Sequence, residues 1–199
     1  PDSKDELFNL VLVKKALPLL KASKGRAFVL ATSLKSMEEI GALLKDELKK
    51  NEINYPVITQ GEGPKSDLLQ QFKKHGNAIL IGSLSFWEGI DVRGPTLSLV
   101  IIDKLPFQSP GDPVFESKIK LLSEEGINAF MSMQLPEAII RLKQGVGRLI
   151  RDDHDNGVMV ICDKRIIEKS YGIKIWKSLP PFKRTRNESA VINFLEELE

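Results

Sequence analysis

Five short apolar runs constrain this chain more than any other feature: "RAFVLA" (26–31), "YPVIT" (55–59), "AILIG" (78–82), "LSLVII" (97–102) and "GVMVIC" (157–162). Most are continuously apolar rather than alternating, which is the pattern of strands covered on both faces of a parallel sheet. Parallel neighbours need a crossover between them, and the intervening stretches have a helical period. Helices are predicted over about 5–22, 34–50, 65–75, about 113–133, 136–151 and 188–198, the second with a capping box at Ser36-x-x-Glu39. The alternation points to an α/β chain, a doubly wound and mainly parallel sheet flanked by helices, with its working surface at the carboxyl ends of the strands. "KLPFQSPGDP" (104–113) and "SLPPFKRTRN" (178–187) read as two short Pro-rich loops, and the second carries three basic residues.

Composition excludes some classes of function and leaves others open. With 199 residues and 42% hydrophobic side chains the chain can bury a real core, and residues 1–199 read as a single domain. The balance of 29 basic against 27 acidic residues neither demands nor excludes nucleic acid, so placement must decide. One cysteine, Cys162, rules out an internal disulfide and a cysteine-held cluster built from this segment alone. There is no signal peptide and no apolar run near 18 residues, so no membrane partner is expected and a cytoplasmic location is. A first residue of Pro1 rather than Met suggests a piece of something larger.

"QGVGRLIR", Gln144 to Arg151, is the helical stretch that does not look ordinary. Each of its glycines costs roughly 1 kcal/mol against alanine in a helix interior. At 100° per residue, Leu142, Val146, Leu149 and Ile150 gather around Ile139, while Gln144, Arg148 and Arg151 gather on the opposite side with Arg141 and Glu137. The glycines fall on the flanks, where missing side chains admit another backbone or a ligand. Arginine rather than lysine occupies the polar face, and its planar fork grips phosphate oxygens in pairs. A solvated polar face is the plain alternative. The chemical reading is a phosphate chain presented from outside the domain.

Gln144-x-x-Gly147-Arg148-x-x-Arg151 resembles motif VI of superfamily 2 helicases, whose arginines act as fingers on the γ-phosphate of ATP. "VLATS" (29–33) resembles motif IV and "IGSLSFWEGIDVRG" (81–94) motif V. "LPFQSPGDP" and "VMVICDKR" are similar to the DinG/XPD-like DNA helicases, nearest the bacterial DinG and YoaA type, and the likeness spans about residues 25–187. It implies the second RecA-like motor domain of an ATP-dependent DNA helicase. A first motor domain, absent here, would bind most of the ATP and Mg²⁺, and the resemblance admits a 4Fe-4S cluster there but none in this segment. "QGEGPKS" (60–66) echoes a phosphate-binding loop, but Pro64 stands between Gly63 and Lys65 and the G-x-x-x-x-G-K-[ST] spacing fails. The segment alone is therefore expected to be inactive.

For the nucleotide, the resemblance assigns Gly89 and Asp91 of motif V to the ribose side and Arg148 and Arg151 to the γ-phosphate. Beside them, Glu88 could position groups at the γ-phosphate side or form a loop salt bridge, Gly147 admits a close approach, and Gln144 can hold a water or an arginine in register. For nucleic acid, Thr32 and Ser33 end one strand and open a helix, where hydroxyls and free N–H groups suit a phosphate. Ser83 and Ser85 could hold a second phosphate, and Phe86 and Trp87 could stack on bases or anchor the loop in the core. No metal site is expected. "DDHDNG" (152–157) reads as acidic crowding before an Asn-Gly turn, and Asp163 with Arg165 as an ion pair or helix start. The expected partners are single-stranded or forked DNA and the first motor domain, with 5′→3′ movement and a role in repair or replication implied by the family. Two rivals stand beside this: a non-catalytic DNA- or protein-binding module with a motor-like fold, and an RNA-directed helicase half.

Overall fold

The structure is a computed structural model that describes residues 5–83, 86, 92, 96–108, 111–150 and 155–198, the side chain of Arg148 excepted. The five apolar runs become five strands: β1 (Ala27–Ala31), β2 (Val57–Thr59), β3 (Ile79–Ser83), β4 (Leu99–Ile102) and β5 (Val158–Ile161). All pair in parallel, in the order β2-β3-β1-β4-β5. Eight α-helices are assigned among the described residues: α1 (Phe8–Ala22), α2 (Leu34–Lys50), α3 (Lys65–His75), α4 (Pro113–Glu124), α5 (Leu135–Leu149), α6 (Arg165–Glu168), α7 (Gly172–Ser178) and α8 (Glu188–Glu197).

Alternation of side chains along the buried strands produces two cores. Val29, Ile79, Ile81, Leu99 and Ile101 meet α1, α2 and α8 on one face. Phe28, Leu30, Leu80, Val100 and Ile102 meet α3, α5 and α7 on the other. Phe28 and Phe72 mark the second core, with ring centroids 4.7 Å apart. At the open end of the first, the Arg26 guanidinium donates to the Leu198 carbonyl at 2.6 Å and ties the start of β1 to the end of α8.

Three sequence expectations need correction. The cap of α2 is Ser33, whose hydroxyl oxygen accepts from the Ser36 N–H. Ser36 is therefore a third-position residue whose buried hydroxyl faces inward, not a cap. The single helix expected over 113–133 stops at Glu124, where Gly126 adopts φ +72° and the Ile127 N–H reaches back to the Leu122 carbonyl. The chain resumes helically through a π turn at Phe130–Gln134 that runs into α5. Cys162, the last residue of the fifth apolar run, lies just past β5 instead of within it and is half-buried.

Candidate nucleotide and nucleic-acid sites

β1 leaves the sheet toward β2 and β3, while β4 leaves toward β5, so the crevice between their carboxyl ends is the topological switch point. Thr32 follows β1 there, and Asp103 follows β4. The Asp103 carboxylate is fully buried and accepts from Thr32 N (3.0 Å), Thr32 Oγ1 (3.2 Å), Ser36 Oγ (3.1 Å) and its neighbour Lys104 N (2.6 Å). Burial lifts its pKa above the ordinary carboxylate value against the opposing pull of those donors. Both hydrogen-bond donors of Thr32 are thus turned toward Asp103. Ser33 differs: it is exposed, and its oxygen accepts from Ser36 N, which leaves its own O–H directed elsewhere.

A second carboxylate repeats the device one strand along. Asp163, at the carboxyl end of β5, accepts from Leu105 N at 2.9 Å and from the Arg165 backbone N–H at 3.0 Å, while the Arg165 Nε spans both its oxygens at 2.9 Å. Burial alone would raise this carboxyl, but the Arg165 guanidinium and the amide donors outweigh it and hold the pKa low. The two expected roles of Asp163 and Arg165, ion pair and helix start, are both realised. Between them, Asp103 and Asp163 pin Lys104 and Leu105 and so fix how the chain leaves β4. Neither was marked as part of a site by the sequence. Asp103 is an isolated acid after an apolar run, and only the fold brings its donors to it. Burial, seconded by the charges of the same two carboxylates, pushes the Cys162 thiol up to about 12.

At the end of β3, Ser83 turns inward. It is buried, its N–H and hydroxyl both donate to Gln60 Oε1 (2.7 and 2.9 Å), and its oxygen accepts from Phe86 N at 3.3 Å. Phe86 is 8% exposed and packs in the α5-side core against Gly82, where an added Cβ would meet the ring. Of the two readings of Phe86, the loop anchor is the one realised. Of the 60–66 segment, residues 60–64 form a loop after β2, and Lys65 and Ser66 open α3 with Pro64 at its N-cap. Ser85, Trp87, Glu88, Gly89, Asp91 and Arg151 lie outside the described residues, as do residues 152–154 of the acidic stretch.

α5 carries the polar face that the sequence set apart. Leu135, Ala138, Leu142, Val146 and Leu149 are buried, while Gln144 and Gly147 are exposed, and an added Cβ at Gly147 would meet open space. Ile139 and Ile150 are half-buried at the margin of the core. The flanking glycines separate: Gly145 is buried and Gly147 is not. The position of this helix corrects one expectation. A helix that crosses from β4 back to β5 runs against the strands, so its last turn lies at their amino ends. Leu149 meets Gly157 there, beside the Val158 N–H bond to the Ser98 carbonyl. The last turn of α5, with its exposed Gly147, is therefore at the opposite edge from Thr32 and Ser33. Between β3 and β4, Phe86, Val92 and Leu97 are buried in the α5-side core.

The helicase C-terminal domain family matches residues 16–182. The chain belongs to that family. Among its relatives, the ATP-dependent DNA helicase YoaA of Escherichia coli (strain K12) is 49% identical over 178 residues, 89% of this chain and 27% of that protein. The ATP-dependent helicase DinG of Mycobacterium tuberculosis (strain ATCC 25618 / H37Rv) is 36% identical over 173 residues, 87% of this chain and 25% of that protein. This helicase C-terminal domain thus spans about a quarter of the length of the curated relatives it matches. A solved XPD helicase structure superposes with a TM-score of 0.62 at 22% identity, covering 88% of this chain and 32% of that one. The common fold is the RecA-like sheet flanked by helices. Among the described residues, no helix is long and apolar enough to cross a membrane.

Proposed function

We propose that this domain is the second motor domain of an ATP-dependent DNA helicase, a single unit over 1–199 that works against a first motor domain supplying the phosphate-binding loop and the Mg²⁺ carboxylates. The observation that carries the reading is the outer face of α5. Gln144 and Gly147 are turned from the core, in the motif VI register of a chain that matches the helicase C-terminal family over residues 16–182.

In this reading Arg148 and Arg151 reach the γ-phosphate of ATP held by the neighbouring domain and neutralise charge that develops during transfer. Gly147 gives the triphosphate room to approach the helix, and Gln144 orients a water or a guanidinium. Asp91 and Gly89 take the ribose side and Glu88 the γ-phosphate side. At the carboxyl edge Ser33 offers a hydroxyl and the first N–H groups of α2 to a DNA phosphate, while Thr32 shapes that turn through Asp103. The arginine contacts exist only while the γ-phosphate is attached, so hydrolysis releases one domain from the other. Movement is 5′→3′ on single-stranded or forked DNA, in repair or replication and in the cytoplasm.

The test is Arg148→Ala in the full-length protein. An arginine finger is worth about 10³–10⁵ in rate, so DNA-stimulated ATP hydrolysis falls by at least about 10³ while nucleotide affinity stays within about threefold. Turnover at the parent rate removes the assignment.

A further inference from the structure

The segment 169–187 holds six cations, Lys169, Lys174, Lys177, Lys183, Arg184 and Arg186, and no carboxylate. Removing these six leaves 23 basic residues against 27 acidic ones in a chain of net charge +2, so the whole positive excess sits in this one stretch. All six are exposed, and none forms an ion pair with a described residue. Uncompensated cations this close together repel, and a fold that only needed solubility would intersperse acids among them.

The stretch is also held in shape. Ile175 and Leu179 bury α7 against α5, and Phe182 packs on the same core after Pro180 and Pro181. Arg184 folds back on α7: its guanidinium lies 5.0 Å over the Trp176 ring and donates to the Trp176 carbonyl at 3.0 Å. Trp176 thus serves as a seat for a cation, which sets Arg184 beside Lys177 instead of leaving the loop to wander. At its other end the stretch meets the carboxyl edge of the sheet, where Tyr171 packs edge-on against Phe107 with centroids 5.7 Å apart. The patch therefore begins beside Asp163, on the β5 side of the crevice that holds Thr32 and Ser33.

We infer that α7 and the loop after it form a docking surface for the sugar–phosphate backbone of nucleic acid, which extends the carboxyl-edge track beyond β5. This rests on the reading of that edge as the nucleic-acid side. The surface contributes affinity and no base specificity, since its lysines and Arg186 meet phosphate oxygens rather than base edges and the Trp176 ring is covered by Arg184.

The experiment uses the full-length protein and a single-stranded oligo-dT, with affinity measured against salt. Each phosphate contact contributes about 0.7 to the slope of log K against log salt on a single strand. Replacing Lys177, Lys183 and Arg186 together by Ala should lower that slope by about 2. Affinity near 0.1 M salt should fall by about tenfold or more, with nucleotide affinity in the absence of DNA unchanged. An unchanged slope in the triple variant, with the parent protein binding DNA, overturns the surface and leaves the motor reading standing. Loss of binding to phosphatidylserine vesicles without loss of oligo-dT binding overturns it in favour of a membrane. A parent protein that binds no oligo-dT sinks both readings together.

Discussion

Replacing Asp103 probes the carboxyl edge most directly. In Asp103→Ala four donors lose their acceptor. Two are hydroxyls that can turn: Ser36 still has Asn9 Oδ1 at 3.1 Å, and the half-buried Thr32 can reach water. The amides of Thr32 and Lys104 cannot, and an N–H left without an acceptor costs about 1–3 kcal/mol. The two amides together cost about 2–6 kcal/mol, and relief of the buried charge returns part of it. Asp103→Asn should cost only about 1 kcal/mol, because its oxygen can face the amides while its NH₂ donates to the two hydroxyls. The pH dependence has a definite sign. A carboxyl whose pKa is raised by folding binds its proton more tightly in the folded state, so the parent chain gains stability as pH falls and loses it as pH rises through the folded pKa. Urea denaturation of parent, Ala and Asn chains at pH 4 and pH 7 should show a larger parent-over-Asn margin at pH 4. A margin that grows toward pH 7, or an Asn variant as damaged as Ala, would refute the reasoning.

Other expectations follow from neighbouring observations. Gly147→Ala places its methyl in open space within a helix, so the chain should gain about 0.5–1 kcal/mol in urea denaturation, while ATP turnover by the full-length protein falls if the triphosphate needs that gap. Gly172→Ala drives a Cβ into the Ile166 carbonyl, and thermal unfolding should show a loss of about 2 kcal/mol or more. Arg165→Ala strips Asp163 of a partner that is itself 32% exposed, which should cost about 2 kcal/mol at pH 7 after solvent screening. Because the Asp163 pKa is lowered, that cost should shrink as pH falls through its folded value. With its thiol pushed up to about 12, Cys162 should resist iodoacetamide at pH 8 in the folded chain and react on the order of a hundredfold faster in urea.

The sheet was legible in the sequence because short apolar runs rich in β-branched residues and bounded by turn residues favour strands: all five became strands within two residues at each end. Helix starts were harder. Ser33 and Ser36 both suit a cap, and local spacing preferred Ser36 because Glu39 stands three residues on. The strand exit at Ala31 and the pull of Asp103 on Ser36 decided otherwise. The short helices α6 and α7 escaped because four and seven residues are too few to show a period. At the candidate sites, residue types were readable but placement was not. Nothing local in "VIIDK" says that its aspartate will collect donors from positions 32 and 36, and nothing in "QGVGR" says which end of the sheet it will occupy.

That last point carries a mechanical implication. Five residues of β1 at about 3.3 Å each separate the two edges by about 17 Å. A rotation of about 15°, of the kind seen between rigid domains, would sweep the far edge through about 4 Å. The strands would then act as the arm of a lever, converting a small pivot at one end into a stride at the other.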